Sequence, residues 1–396
     1  MALLLLVAAT ACNPENTSRA CRGLDLPDAA VSEGTGRWEE QGRSPELVEL
    51  WRAGGLEEGQ GMVFPITIAA GPEGRIAVPD FGAGRVFVVA PDGEWLGSWT
   101  RRGRGPGEIL RPVAARWTAD GRLGVFDIQG SKVAWLDGPG ETADELQLDP
   151  DFTSPVVASG SLRWAGLGPR GTAWLRPGPS GAEAVGARAV DAVTRLRVSA
   201  ETPDTVLRDT VPTLAADGRF SGTVLPGAPR PVTAVAADGA LLFASPDGRY
   251  AVHRLGPSDD RPSPVLCRSA GPRPLRTAER AEGDVPEGGE ALADAVRGAS
   301  EPGRLASIGR LMAGADGRIW VQRKRPAPFG RQGMYGPPGG TWDVFGAEGS
   351  YLGGVEAPAG GMLLAARGDT AWAFEAGELD EIWIVAYELR FGEGRD

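Results

Sequence analysis

The sequence holds one histidine, His253, and that count limits the chemistry open to it. A two-histidine zinc site and a two-histidine, one-carboxylate iron site need more imidazoles than the chain has, and a histidine-activated nucleophile would have to use this one. His253 lies in Arg249-Tyr-Ala-Val-His-Arg-Leu255, which reads as a strand, the third of its unit, with the imidazole in a structural role. Asparagine occurs only at Asn13 and Asn16, so a calcium site built on asparagine ligands has no candidates in the body of the chain. A calcium site of carboxylates and carbonyls stays open, although no diagnostic spacing announces one. No Gly-rich phosphate loop follows a strand and opens a helix. Catalytic, cofactor-binding and metal-binding residues are therefore assigned to none, and no cofactor is expected.

Charge recognition is the chemistry that remains. The formal net charge of −11 argues against nonspecific nucleic-acid binding, which needs a net basic face to release counterions. Cations nevertheless gather in two stretches, one with Arg85, Arg101, Arg102, Arg104, Arg111 and Lys132, the other with Arg323, Lys324, Arg325 and Arg331. The second is a long loop that mixes its charges with Phe329 and Tyr335. The candidate ligand-binding residues are Arg85, Arg102, Arg104, Lys132, Arg323, Lys324, Arg325 and Tyr335, for an anionic ligand or an acidic partner.

These residues are positioned by a repeat. Gly71-Pro-Glu-Gly-Arg-Ile-Ala-Val-Pro-Asp80 recurs 47 positions later as Thr118-Ala-Asp-Gly-Arg-Leu-Gly-Val-Phe-Asp127, with turn and aspartate in register. Hairpin turns occur at Glu73-Gly74, Asp120-Gly121, Arg170-Gly171, Asp238-Gly239, Asp316-Gly317 and Gly368-Asp369, each followed by β-formers. Six hairpins predict an all-β, six-bladed β-propeller of four-stranded antiparallel blades over residues 45–392. An Asp217-Gly218 turn leaves a seventh blade open, and an insert at about 271–304 reads as a surface loop with one short helix. Glu46-Leu-Val-Glu-Leu-Trp51 alternates like a lone strand and is expected to close the last blade from outside. Most of the tryptophans fall in or beside strands, where flat rings pack between blades. In such a ring the hairpin turns carry an acidic rim (Glu73, Asp92, Asp120, Asp238, Asp316, Glu348), and the opposite loops carry the cations.

The run from Arg75-Ile-Ala-Val-Pro-Asp80 through Arg101-Arg-Gly-Arg-Gly-Pro-Gly-Glu108 resembles bacterial six-bladed β-propeller proteins related to the NHL-repeat family. The likeness is strong over residues 62–137, recognisable over 305–390 and faint between 150 and 300. It implies a fold and an extracytoplasmic setting but no fixed reaction. It also implies that Asp80 and Asp127 hold the following turn by accepting backbone N–H bonds.

Leu3 to Ala11 form an apolar run too short to span a bilayer, ending in Ala9-Thr-Ala-Cys12. This resembles a bacterial lipoprotein signal, with residues 1–11 removed and Cys12 lipidated, although no Lys or Arg precedes the run; a plain secretory signal stays open. Residues 12–44 are polar and read as a flexible tether, so Cys21 and Cys267 are expected as free thiols. The expected protein is a monomeric, noncatalytic binding or scaffold propeller, lipid-anchored to the cell envelope and recognising a protein, peptide or glycan through its loop-rich rim. The alternative is a metal-dependent, calcium-type hydrolase or lyase with a carboxylate site in the central channel.

Overall fold

The computed structural model describes residues 21–27, 30–57, 59–148, 162–168, 173–177, 188–196, 204–216, 219–224, 232–245, 247–269, 273–274, 304–305, 307–324 and 339–392. Almost all of its regular structure is strand, arranged as a β-propeller. Sheet A comprises strands Ala69–Ala70, Ile76–Asp80, Arg85–Val89 and Trp95–Ser98, and sheet B comprises Pro112–Trp117, Leu123–Asp127, Lys132–Gly138 and Glu141–Gln147. Sheet C spans residues 162–224. Sheet D runs from Thr233–Val235 through Leu241–Ala244 and Ala251–Leu255 to Ser263–Arg268. Sheet E runs from Ile308–Ala313 through Ile319–Arg323 and Gly340–Phe345 to Tyr351–Ala357. Sheet F runs from Met362–Arg367 through Thr370–Ala376 to Ile382–Gly392 and takes Ser44–Gly54 as its outermost strand.

Five of these sheets are regular blades, where six were expected. Sheet C departs from the four-strand pattern: it has five strands, with one of nine residues (Arg188–Leu196) paired to one of 13 (Asp204–Ala216). The wide spacing of hairpin glycines in this part of the chain is taken up by those long strands. The Asp217-Gly218 turn and most of the 271–304 insert lie outside the described residues.

The second strands Ile76–Asp80 and Leu123–Asp127 are buried along their whole length, because a sheet in the ring has a neighbour on each face. Alternate side chains therefore enter different apolar layers. Leu123 and Val125 join Ala77, Val86 and Val88 of sheet A, whereas Phe126 packs with Leu167 and Ala173 of sheet C. Trp372 of sheet F packs among Ile76, Val78 and Phe87 of sheet A, Trp320 and Trp342 of sheet E pack against sheet F, and Trp174 meets Leu241 and Phe243 of sheet D. Gly74 (82°) and Gly121 (86°) take positive φ in the turns that lead into the buried second strands of sheets A and B.

Residues 21–43 correct the expectation of a free tether. Cys21 forms a disulfide with Cys267, and both are buried, at 1% and 0% exposure. Val31–Ser32 then adds in parallel to Cys267–Arg268 of sheet D. Helix Arg37–Glu40 buries Trp38 in the layer between sheets E and F, with Gly36 against the backbone of Leu352 and Gly353. The polar composition that suggested a tether is that of a belt with one side in water. Cys12 and the apolar run before it lie outside the described residues.

Strands far apart in the sequence meet in sheet F, where Ser44–Gly54 pairs antiparallel with Ile382–Gly392 from Ser44↔Gly392 to Gly54↔Trp383. Deleting residues 45–54 should abolish cooperative unfolding, read by near-ultraviolet circular dichroism during heating. Replacing Cys21 and Cys267 by serine should lower stability by about 2 to 5 kcal/mol in urea titrations, with the fold retained.

Candidate functional site

Asp80 and Asp127 set the loops of sheets A and B. Each ends a second strand, is fully buried, and accepts three backbone N–H groups: Asp80 from Val63 (2.7 Å), Phe64 (2.9 Å) and Ala83 (2.8 Å), Asp127 from Leu110 (2.8 Å), Arg111 (2.9 Å) and Gly130 (3.0 Å). Each carboxylate thus fixes the turn after its strand, as expected, and also the segment entering its own sheet. Charge-assisted bonds of this kind are the stronger class.

The result is a defined surface at the seam of A and B. A Cβ at Gly84 would lie 2.7 Å from the Leu110 carbonyl and 3.1 Å from Arg102 Cγ, so the Arg85 turn, Arg102 and the Leu110-Arg111 segment are in contact. Arg111 lies 4.9 Å from the centroid of Phe81, which meets Phe64 edge-on at 6.1 Å. Val63 (66% exposed) and Phe64 (36%) extend the patch into solvent. Arg85, Arg101, Arg102, Arg104 and Arg111 have no carboxylate within ion-pair distance among the described residues.

The carboxylates of the hairpin turns are differently employed. Asp120 meets Arg122, Asp238 meets Arg254, Asp316 meets Arg318, and Glu348 accepts from Ser350. Arginines of the same sheets answer three of these charges, whereas the arginines at the A–B seam are left available.

The predicted ligand-binding set is divided by the fold. Arg85, Arg102 and Arg104 are exposed beside sheets A and B. Lys132 is not available: it is 3% exposed, paired with Glu145 at 2.9 Å and donating to the Gly105 carbonyl at 3.2 Å, so it holds the connection between the two sheets. Arg323 ends the second strand of sheet E and Lys324 follows it, and sheet F separates sheet E from sheet A. Arg325 and Tyr335 lie outside the described residues.

Arg323 is part of a cluster that no sequence motif announces. Asp343, fully buried, accepts from Arg323 Nε (2.9 Å) and Nη2 (2.7 Å), Tyr250 Oη (2.6 Å) and Tyr351 Oη (3.0 Å), with Arg268 Nη1 at 3.5 Å. Burial alone would raise the Asp343 pKa, but the hydrogen bonds from Arg323 and Tyr250 and the charges of Arg323 and Arg268 outweigh it and hold it below the ordinary carboxylate value. Burial and the facing carboxylate push Tyr351 up to about 12. The signal in the sequence was positional: Arg323 ends the second strand of its blade, where sheets A and B have aspartate.

Other groups are structural. His253 stacks on Phe243 at 5.4 Å in the third strand of sheet D, and burial, followed by the nearby Arg249 charge, lowers its pKa. Arg116, on the first strand of sheet B, donates to the carbonyls of Leu167 (3.4 Å) and Ala236 (3.2 Å) and to that of Ala237, linking the inner ends of sheets B, C and D. Among the described residues no three His, Cys, Asp or Glu side chains are grouped to hold a metal ion.

No protein-family model matches the sequence, and no curated protein aligns with it significantly. The structure is similar to solved β-propeller proteins. A member of the DUF4221 family from Bacteroides vulgatus is 11% identical with a TM-score of 0.52, covering 88% of this chain and 99% of its own. Virginiamycin B lyase from Staphylococcus aureus is 14% identical with a TM-score of 0.40, covering 86% and 99%. The calcium-binding protein regucalcin from Agrobacterium tumefaciens is 11% identical with a TM-score of 0.41, covering 92% and 97%. At 11% identity the likeness to the DUF4221 member is one of fold.

The Asp343 cluster predicts an acid-sensitive fold. Because the folded-state pKa lies below the unfolded value of 3.8, its contribution is complete above that pH and is lost as pH falls toward the folded value. Urea midpoints measured between about pH 6 and about pH 2.5 should fall more steeply for the wild type than for Asp343→Asn, which should be the less stable protein near neutrality.

Proposed function

We propose that the chain is a noncatalytic binding propeller of the cell envelope that captures a protein, peptide or glycan bearing anionic groups through the arginine face at the seam of sheets A and B. The observation that carries this reading is the convergence of Arg85, Arg102 and Arg111 around Gly84 and Leu110, beside exposed Val63 and Phe64, with no carboxylate in ion-pair reach among the described residues. Cations that the fold leaves unpaired are free to pair with a ligand. The apolar residues beside them add area that is removed from water on binding.

The same reading places the mature chain outside the cytoplasm, lipidated at Cys12. The buried Cys21–Cys267 disulfide supports an oxidising compartment. No helix among the described residues is long and apolar enough to cross a membrane. Sheet C takes the sixth place in the ring on this reading: its strand Leu162–Leu167 contacts Pro112–Trp117 of sheet B and Thr233–Val235 of sheet D.

Immobilised heparin and immobilised poly-glutamate supply sulfated-glycan and carboxylate-peptide probes for the test. Wild-type retention should fall as salt rises, and the combined Arg85→Gln, Arg102→Gln and Arg104→Gln variant should bind about tenfold more weakly or not at all. Arg390→Gln, which removes a surface pair with Glu388, should leave retention unchanged. Equal retention of wild type and the combined variant on both supports would refute the assignment.

A further inference from the structure

The turns between the second and third strands of sheets A, B and F open on one side of the ring, and neighbouring stretches of that side carry opposite charge. In sheet F this turn is residues 377–381. The outermost strand Ser44–Gly54 ends beside it at Gly54↔Trp383, and the Gly55 N–H donates to the Ile382 carbonyl at 2.9 Å. From there the chain crosses to sheet A: a Cβ on Gly54 would lie 2.9 Å from Met62 Cε, and the N–H groups of Val63 and Phe64 are held by Asp80. The side is therefore continuous from the 377–381 turn, through residues 55–64, to the arginine face at the A–B seam.

Exposed apolar groups are concentrated there. Of the six large hydrophobic side chains exposed among the described residues, four belong to this stretch: Leu56 (69%), Val63, Phe64 and Leu379 (75%). The charges beside them are sorted by sign. At the sheet F end Glu57, Glu378 and Asp380 are exposed and have no cation within ion-pair distance among the described residues. Arg52 of the closing strand is taken by Glu49 and Glu375, and Glu381 accepts from the Leu379 N–H and Trp383 Nε1. At the A–B end Arg85, Arg101, Arg102 and Arg104 are exposed. The carboxylates among them are committed, Asp80 and Asp127 to backbone N–H groups, Glu108 to the Gly105 N–H and Glu145 to Lys132 and the Gly107 N–H.

A broad surface of one charge, such as an anionic membrane, would be attracted at one end of this stretch and repelled at the other. The matching surface carries both signs in reversed order with apolar groups between them, and a second copy turned about a twofold axis has that order by construction. We propose that two copies of the chain associate face to face on this side of the ring, with the axis near Val63 and Phe64 and the arginines of each copy against Glu57, Glu378 and Asp380 of the other. Leu56, Val63, Phe64 and Leu379 then form the apolar centre and the charged groups its rim, the ordinary division of an interface. Repulsion between two chains of net charge −11 is screened beyond about 8 Å at physiological salt, so the close pairs decide. Sequence alone leads to a monomer because only the fold brings the two stretches side by side. The dimer does not depend on the anionic ligand proposed above, but it uses the same arginines, so ligand and second copy compete for them.

Sedimentation velocity of the full chain between roughly 1 and roughly 100 μM should show a mass rising from one chain toward two. Reversing the basic end (Arg85→Glu, Arg102→Glu and Arg104→Glu together) or the acidic end (Glu57→Lys and Glu378→Lys together) should each weaken association about a hundredfold or more, because like charges then meet twice across the axis. Asp380 is left in place, since its φ of 61° is one that aspartate tolerates. An equimolar mixture of the two variants should restore the dimer, because their reversed ends are again opposite in sign. The acid-reversed variant should still be retained on immobilised heparin; its loss there would count against the ligand reading and not against the dimer. If a reversal lowers the melting temperature, Glu378→Gln and Arg102→Gln take its place, each expected to weaken the dimer about fivefold. A single chain at every concentration, a dimer that the variants leave intact, or reversed variants that do not recombine would each overturn the proposal.

Discussion

Pairing of Ser44–Gly54 with Ile382–Gly392 turns a row of sheets into a ring, and the rest of the molecule depends on it. An antiparallel pair of 11-residue strands far apart in the sequence gives sheet F its outer strand. That sheet is one wall of two apolar layers, one holding Trp372 against sheet A and the other Trp320 and Trp342 of sheet E. Loss of the pairing would loosen the wall common to both layers, so the contribution of this ladder extends beyond its own hydrogen bonds. The belt from Cys21 to Gln41 reinforces the same point, because it binds sheet D covalently and lays Trp38 over the E–F layer before the closing strand begins.

Rigidity of the ring lets its connections carry unpaired charge. Asp80 and Asp127 each draw three N–H groups onto one buried carboxylate, which fixes two loops at once. Lys132 and Glu145 do the same for the connection between sheets A and B, through the Gly105 and Gly107 backbone. Buried pairs serve the scaffold, and the arginines outside them need no partner to keep the loops in place. Local satisfaction of the turn carboxylates completes the separation, so a chain of net charge −11 still presents a cationic face.

Elements with strong local patterns were legible in the sequence. The Gly turns announced the hairpins, the family resemblance implied the role of Asp80 and Asp127, and the alternation of Glu46 to Trp51 announced a strand. Features that depend on distant partners were not. Cys21 sits in a polar stretch without periodicity, and only the fold brings it to Cys267 across 246 residues. Lys132 aligns with Arg85 in the repeat, yet burial beside Glu145 makes one a strut and leaves the other exposed. The regular blades number five because hairpin turns count strand pairs, and the long strands of sheet C follow their own pattern between such turns.

A repeat also defines where it is broken, and the break at Arg323 has physical consequences. In sheets A and B the residue ending the second strand is an acceptor that satisfies the N–H groups of two loops; a guanidinium there can satisfy none of them. Sheet E answers the change with Asp343 on the adjacent strand, and the Tyr250 and Tyr351 hydroxyls complete its coordination. Stability alone does not require this arrangement, since a buried ion pair rarely outperforms an apolar core of the same volume. What the exchange does achieve is a fixed, half-exposed cation at the end of a second strand. The ring therefore carries its two cationic features at places where different rules of the repeat operate, one on loops held by the aspartates and one where an arginine has replaced them.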